Sequence, residues 1–268
     1  MRVIVPASSA NLGPGFDVLA LALDLPFLLS TLPEDGLLLA ESSHPASVAF
    51  RAAGGAGGLF WRSPIPPGRG LGFSGAARVA GALLGTAVAG SIDRQRALEI
   101  AVELEGHPEN AAASMLGGAV AASGGAAVRI PLDFEARVVA WSPDTETSTD
   151  KSRGRLPAQV PFEDAVFNVG RASLLVAALA AGDRAALRVA TEDRLHQDAR
   201  LDLSPPSRAA LDSLLAAEPL AAWLSGSGPT VAALVEPDDA ERIAAALPAD
   251  GRARILDIDL VGARVDAV

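Results

Sequence analysis

Two hydrophobic rhythms alternate along the chain, one suited to strands and the other to helices. Val3-Ile4-Val5 is a short apolar run that predicts a strand ended by Pro6, because proline cannot donate to a ladder. Residues 7–17 are dense in turn formers and predict a structured loop, after which the apolar run 18–29 reads as strand. Residues 46–60 predict a short helix leading into Gly54-Gly55 and Gly57-Gly58, and a loop rich in proline and glycine follows over 64–75. Small apolar residues over 76–84 predict a buried helix. The clearest helical period lies over 92–105, where Leu98, Ala101, Val102 and Leu104 share one stripe and Gly106 stops it.

Pro108 suits the first turn of a helix running to Met115 and closed by Gly117-Gly118. Strands are predicted over 119–130 and 136–141. A long helix follows from Pro161 to Ala181, closed by Gly182, then a helix capped by Asp183 that runs to His196. Pro205-Pro206 starts another helix. A third glycine loop, Ser225-Gly226-Ser227-Gly228-Pro229, leads into a strand over 230–235, a helix over 239–247 and a strand over 253–260. The mixture is α+β in two halves, 1–136 and 137–268, without an internal repeat.

Composition then removes whole classes of chemistry. Cysteine is absent, which excludes disulfides, thiolate nucleophiles and Cys-ligated metals. His44, His107 and His196 are the only histidines, and no two have the spacing of a helix-borne zinc pair. The net charge of −10 argues against a nucleic-acid partner. No apolar run is long enough to cross a bilayer and the N-terminus lacks a signal pattern, so the expectation is a cytoplasmic protein with no membrane partner. Lys151 is the only lysine and follows Asp150 rather than a glycine, which excludes a Walker-type phosphate loop. Phosphate would have to be held by backbone N–H groups, arginine and a metal ion.

Gly70-Leu71-Gly72-Phe73-Ser74-Gly75 formally matches a dinucleotide fingerprint, but Pro64, Pro66 and Pro67 interrupt the strand that fingerprint requires. A phosphate cradle formed with the N-terminus of the next helix suits the loop better. On its own it would read as a tight turn.

Three further strings change its meaning. They are Ser8-Ser9-Ala10-Asn11-Leu12-Gly13-Pro14-Gly15-Phe16-Asp17, the acidic helix ending in Glu105-Gly106-His107-Pro108-Glu109-Asn110, and Leu224-Ser225-Gly226-Ser227-Gly228-Pro229-Thr230. Taken with the central loop, in this order, the chain resembles the GHMP kinases, and among them the homoserine kinases. Ala165–Arg171 and Glu192–Gln197 extend the likeness over nearly the whole chain.

The resemblance implies a two-domain fold, an N-terminal domain like ribosomal protein S5 domain 2 and a ferredoxin-like C-terminal domain. The active site would lie between them. It also implies Mg-ATP-dependent phosphorylation of L-homoserine to O-phospho-L-homoserine. Pro67, Gly68, Arg69, Gly70, Leu71, Gly72, Phe73, Ser74 and Gly75 would wrap the ATP phosphates, with Ser74 and Glu99 holding Mg²⁺. Asn11, Asp17, His107, Arg171 and Arg200 would bind the amino acid, Asp17 taking its ammonium and the arginines its carboxylate. Asn110 and Arg171 would orient the hydroxyl. His107 has a simpler reading as a helix cap before Pro108, and His196 as the partner of Glu192 one helical turn earlier.

This chain departs from the resemblance in places. Phe73 stands where a serine is usual and could crowd the nucleotide, Gly75 replaces an alanine, and Ser47 replaces an asparagine. The stretch between Leu25 and Pro64 is short. Two rival readings follow: a kinase for another small alcohol, and a non-catalytic small-molecule binder. The residues leave monomer or homodimer open.

Overall fold

The computed structural model describes residues 1–145 and 152–266, so Lys151 lies outside the described residues. Two antiparallel sheets form its frame. The first joins β1 (Arg2–Ala10), β2 (Leu19–Ser30), β3 (Leu38–Leu39), β4 (Phe60–Arg62), β5 (Ala119–Ser123), β6 (Ala126–Ile130) and β11 (Arg264–Asp266), with β11-β1-β2-β4-β3 in lateral order and β5 on β2. The second has the order β10-β7-β9-β8, built from β7 (Arg137–Pro143), β8 (Ala221–Leu224), β9 (Val231–Val235) and β10 (Gly251–Asp257). The fold is α+β, and the first sheet takes its last strand from the far end of the chain.

Helices α1 (Pro45–Ala52), α2 (Phe73–Val88), α3 (Arg94–Glu105) and α4 (Glu109–Leu116) belong with the first sheet. Helix α2 packs against β1, α1, α3 and α4. It is almost entirely apolar and buried, from Gly75 to Ala87 with Arg78 the exception, as expected of a helix covered on all sides. Its glycines permit this closeness: a Cβ on Gly81 would stand 2.0 Å from the Ala46 carbonyl oxygen. The second half of the chain adds α5 (Phe162–Ala181), α6 (Arg184–Ala190), α7 (Gln197–Leu201), α8 (Pro205–Ala216) and α9 (Ala240–Ala245). One hydrophobic core runs through both halves, from Val3, Leu21 and Leu83 to Leu187, Trp223 and Leu234.

Several expectations are corrected. Pro6 does not end its strand: β1 runs on to Ala10, because Pro6 sits opposite Pro26 where the register shifts and no ladder bond is required of it. The strand expected over 119–130 folds back at Gly124-Gly125 into the β5–β6 hairpin. The helix expected from Asp183 to His196 stops at Ala190, and residues 191–195 cross the surface irregularly. Helix α5 has 20 residues with a hydropathy of 1.4, so by length and composition it does meet the measure of a membrane-crossing helix. Here it packs through Leu175, Ala178 and Leu179, and it carries Asp164 and Arg171 in ion pairs.

Candidate functional site

The site begins with left-handed backbone in three loops. In the first, Asn11 (φ 75°), Leu12 (φ 46°), Gly13 (φ 85°) and Asp17 (φ 57°) all lie in the region L-residues seldom enter. Asn11 explains part of this: its amide donates to the Gly226 carbonyl (2.9 Å) and its Oδ1 accepts the Asp17 backbone N–H (3.1 Å). One side chain therefore fixes both the turn and the third glycine loop.

In the central loop, Gly68, Gly70 and Gly72 all have φ between 65° and 74°. Gly72 caps α2 without any side-chain hydrogen bond, so the first N–H groups of the helix remain free to face an anion. The loop is pressed against both halves of the molecule. A Cβ on Gly70 would lie 2.3 Å from the Ser225 carbonyl oxygen, and one on Gly72 2.1 Å from Ser8 Oγ. A chain of donors holds this junction. The Trp223 indole N–H donates to Ser9 Oγ (2.9 Å), Ser9 meets Ser225 (2.7 Å), and Ser225 donates to the Gly70 carbonyl (2.6 Å).

These loops enclose a cavity of about 690 Å³, solvent at its mouth included. Its walls include Asn11, Asp17, His107, Asn110 and Arg200 together with Gly68 to Ser74, so most of the residues singled out from sequence meet in one place. Pro67 and Gly75 flank the wall without forming it, and a Cβ on Gly75 would press on Asn110. Arg69 turns its guanidinium to the Pro143 and Asp144 carbonyls and so ties the central loop to the end of β7.

Two expected residues are elsewhere. Glu99 sits on the outer face of α3, where it accepts from Gln95 (3.1 Å) and Arg96 (3.2 Å). Glu105, six residues on and therefore on another face of the helix, lines the cavity and accepts from Ser74 Oγ at 3.0 Å. Arg171 pairs with Glu192 (2.8 Å) on the outside of α5 and stacks over Phe167. Its place in the cavity belongs to Arg153, whose Nη2 lies 2.8 Å from each carboxylate oxygen of Asp17.

The chain reversal after α6 brings in the rest. Asp193 accepts the backbone N–H groups of His196 (2.9 Å) and Gln197 (2.8 Å), and Asn168 holds it at 2.7 Å. Asn168 is thus a buried clamp on this turn. His196 is buried and bonds the Gly13 carbonyl through Nε2 (2.7 Å); its other ring nitrogen faces Arg200 at 3.3 Å. Its Nε2 therefore carries the hydrogen and Nδ1 accepts. Glu192, its expected partner, pairs with Arg171 instead. Burial holds the His196 pKa below the ordinary value, Asp193 opposing. Arg200 is only 4% exposed and lies over the Phe16 ring; burial lowers its pKa to about 10, which leaves it charged at neutral pH.

His107 does not cap α4. Its Nδ1 faces Glu109 Oε1 at 3.0 Å, and Asn110 Nδ2 donates to the same oxygen at 3.0 Å. Asn110 Oδ1 in turn accepts from Ser8 Oγ (2.8 Å). Glu109 is 2% exposed, yet its second oxygen has no protein partner and its side chain lines the cavity. A buried carboxylate oxygen without a protein donor is completed by a water, an ion or a ligand group. Phe73 does not fill the cavity: its ring meets Phe27 and Trp61 edge-on, each at 5.6 Å, in an aromatic cluster with His44.

Sequence reasoning missed Glu105, Glu109 and Arg153. The first two stand inside the Glu105–Asn110 string, where the turn of the helix could have separated Glu105 from Glu99. Arg153 lies in a polar stretch after β7 with no periodicity to mark it.

Comparison with known proteins finds relatives along nearly the whole chain. The family models described as GHMP kinases N terminal domain and GHMP kinases C terminal match residues 42–118 and 175–253. A homoserine kinase of Thermus thermophilus is 39% identical over an alignment of 281 positions, gaps included, which covers 96% of this chain and 96% of that protein. One from Streptomyces avermitilis is 40% identical over an alignment of 296 positions, gaps included, which covers 99% of this chain and 95% of that protein. The crystal structure of homoserine kinase from Cytophaga hutchinsonii superimposes with a TM-score of 0.86 at 25% identity, covering 98% of this chain and 96% of that one.

Proposed function

The chain belongs to the GHMP kinase family, and from that premise we propose that it is a homoserine kinase, transferring the γ-phosphoryl group of ATP to the hydroxyl of L-homoserine. The product is O-phospho-L-homoserine, a step toward threonine.

A single arrangement carries the reading. Besides Arg69 of the phosphate loop and Glu105 beside Ser74, the cavity is lined by two further arginines, Arg153 and Arg200, and two further carboxylates, Asp17 and Glu109. A small molecule with a carboxylate, an ammonium and a hydroxyl matches that set. The guanidinium groups suit the substrate carboxylate. The unpartnered oxygen of Glu109 suits an ammonium, with Asp17 as a second acceptor once Arg153 turns to the substrate. Asn110, anchored between Ser8 and Glu109, is held where it can orient the hydroxyl. Phosphoryl transfer relies mainly on positioning and charge neutralisation, so these fixed groups account for much of the task.

The phosphate side is consistent with ATP. Three glycines in left-handed backbone and the free N–H groups of α2 make an anion cradle that needs no lysine. Ser74 and Glu105 offer a hydroxyl and a carboxylate oxygen close together, donors suited to Mg²⁺. Among the described residues no three His, Asp or Glu side chains form a metal cage, so the ion would be shared with the nucleotide phosphates. When bound, Mg²⁺ would neutralise charge on the transferred group. The division into residues 1–136 and 137–268, with the site between, is part of the same reading.

Coupled detection of ADP tests it. With Mg-ATP, L-homoserine should give turnover while mevalonate and L-serine give little. Turnover with another alcohol but not homoserine would keep the family chemistry and discard the substrate. Homoserine binding without ADP would make the protein a binder.

A further inference from the structure

Ser74 and Glu105 already hold a cation. Arg78 lies one helical turn after Ser74 on α2, and its Nη1 donates to both Ser74 Oγ and Glu105 Oε2. These are the two oxygens assigned above to the metal ion, and the inference rests on that assignment. We propose that Arg78 stands in for the divalent cation while the nucleotide is absent. Metal then enters only together with the nucleotide, and Arg78 must release both ligands to it.

The charges support this. Glu105 is nearly enclosed, its side chain 10% exposed, and among the described residues Arg78 is its only ion-pair partner. With Arg78 seated, the carboxylate is neutralised and its oxygen is already occupied. A free divalent ion would meet little net attraction there and would have to displace a half-buried, paired guanidinium. A nucleotide reverses the balance by adding several negative charges beside Ser74. Arg78 has no competing role in view: no other acidic side chain pairs with it among the described residues, and its Nε is buried without a partner. It is also the one charged residue of α2, in a helix otherwise apolar and small.

The alternative is a tether joining α2 to the end of α3. A tether would affect thermal stability and leave the metal affinity of the empty protein unchanged, so the test reads metal binding directly. Mn²⁺ serves as the probe, its free fraction followed by electron paramagnetic resonance with and without ADP. Wild type should bind Mn²⁺ weakly alone and strongly with ADP. Arg78→Met should bind Mn²⁺ without nucleotide tighter than wild type by roughly tenfold or more. Adding Glu105→Gln to that variant should abolish the gain. Arg78→Gln keeps a donor to both partners but no charge, so it carries the same expectation should the Met variant fold poorly. If neither neutral variant binds Mn²⁺ more tightly than wild type while all bind it with ADP, Arg78 is a tether and the proposal is wrong. If wild type binds no Mn²⁺ even with ADP, the kinase reading fails, and this inference with it.

Discussion

Arg153 sets one guanidinium nitrogen 2.8 Å from both carboxylate oxygens of Asp17, across 136 residues of sequence. The pair closes the wall of the cavity between the first loop and the second half of the chain. Because both groups are only partly exposed and already opposed, an amino acid with two opposite charges can insert between them at little electrostatic cost. Arg153→Ala should lower kcat/KM for homoserine by roughly 10- to 150-fold, the range of a charged hydrogen bond worth ~1.5–3 kcal/mol. Arg171→Ala removes an outer ion pair, worth about 0–1 kcal/mol, and a stack over Phe167, both outside the cavity, and should leave kcat/KM within a few-fold. Steady-state kinetics on the two variants decide between them, and equal losses would return Arg171 to the site.

The two glutamates of α3 make a second contrast. Glu105→Gln should reduce kcat by about 100-fold or more, since a neutral amide is a poor ligand for a hard cation. Glu99→Gln should remain near wild type, because its carboxylate faces solvent beside Gln95 and Arg96. Equal turnover for Glu105→Gln and wild type would remove Glu105 from metal binding.

How much of this was legible in the sequence follows from where information is local. Helix α3 and the turns at Gly70-Leu71-Gly72 and Ser225–Pro229 are written in short-range chemistry: an apolar stripe, a stop glycine, positions needing φ above zero. The cavity residues Asn11, Asp17, His107 and Asn110 sit in or beside such turns, but it was the family resemblance of the strings around them that implied their roles. Glu99 and Glu105 differ only by the rotation of one helix, and six residues do not complete whole turns, so a small misalignment exchanges an outer face for an inner one. Arg153 and the reversal over 191–196 depend on contacts between distant segments, such as Ser152 with the Ser227 carbonyl and His196 with Gly13. No local pattern encodes those. Pro6 misled for a related reason: its tolerance depends on its partner across the ladder, Pro26.

Gly70→Ala tests how closely the loops must meet. The new Cβ would lie 2.3 Å from the Ser225 carbonyl oxygen, at a residue with φ of 74°. Backbone strain alone costs roughly 1–3 kcal/mol, and separating the loops would also break the Ser225 bond to the Gly70 carbonyl. The variant should lose several degrees of Tm and bind ATP at least several-fold more weakly by calorimetry. Wild-type values for both would mean that the loop can shift without consequence.

Phe73→Ser separates crowding from packing. The ring is wedged against Phe27 and Trp61, so its removal opens a void in an aromatic cluster rather than space for a nucleotide. Thermal unfolding should show a loss of about 2–4 kcal/mol, at the lower end for a half-buried ring. ATP affinity should not improve; a clear gain would restore the crowding reading.

His196 gives stability a pH dependence whose direction follows from its surroundings. Its Nε2–H is fixed on the Gly13 carbonyl, and a proton added at Nδ1 would face the Arg200 guanidinium 3.3 Å away. Burial lowers its pKa in the folded protein, with Asp193 and Asp17 only partly opposing, whereas the unfolded chain titrates near the ordinary value of about 6.5. The unfolded state therefore takes up a proton that the folded state refuses as pH falls below about 6.5. Stability is fully present above that value and is lost from there down to the lowered folded pKa. His44, whose pKa burial also lowers, acts in the same direction. Between about pH 7.5 and 5.5, above the range where most carboxylates titrate, the Tm of wild type should fall further than that of His196→Gln. Homoserine binding by the folded protein should change little over the same interval, because the folded state keeps the imidazole neutral and adds no second positive charge beside the Arg200 guanidinium. Parallel Tm curves for the two proteins would show that His196 does not titrate differently on folding, and that its bond to Gly13 holds the loop without coupling it to pH.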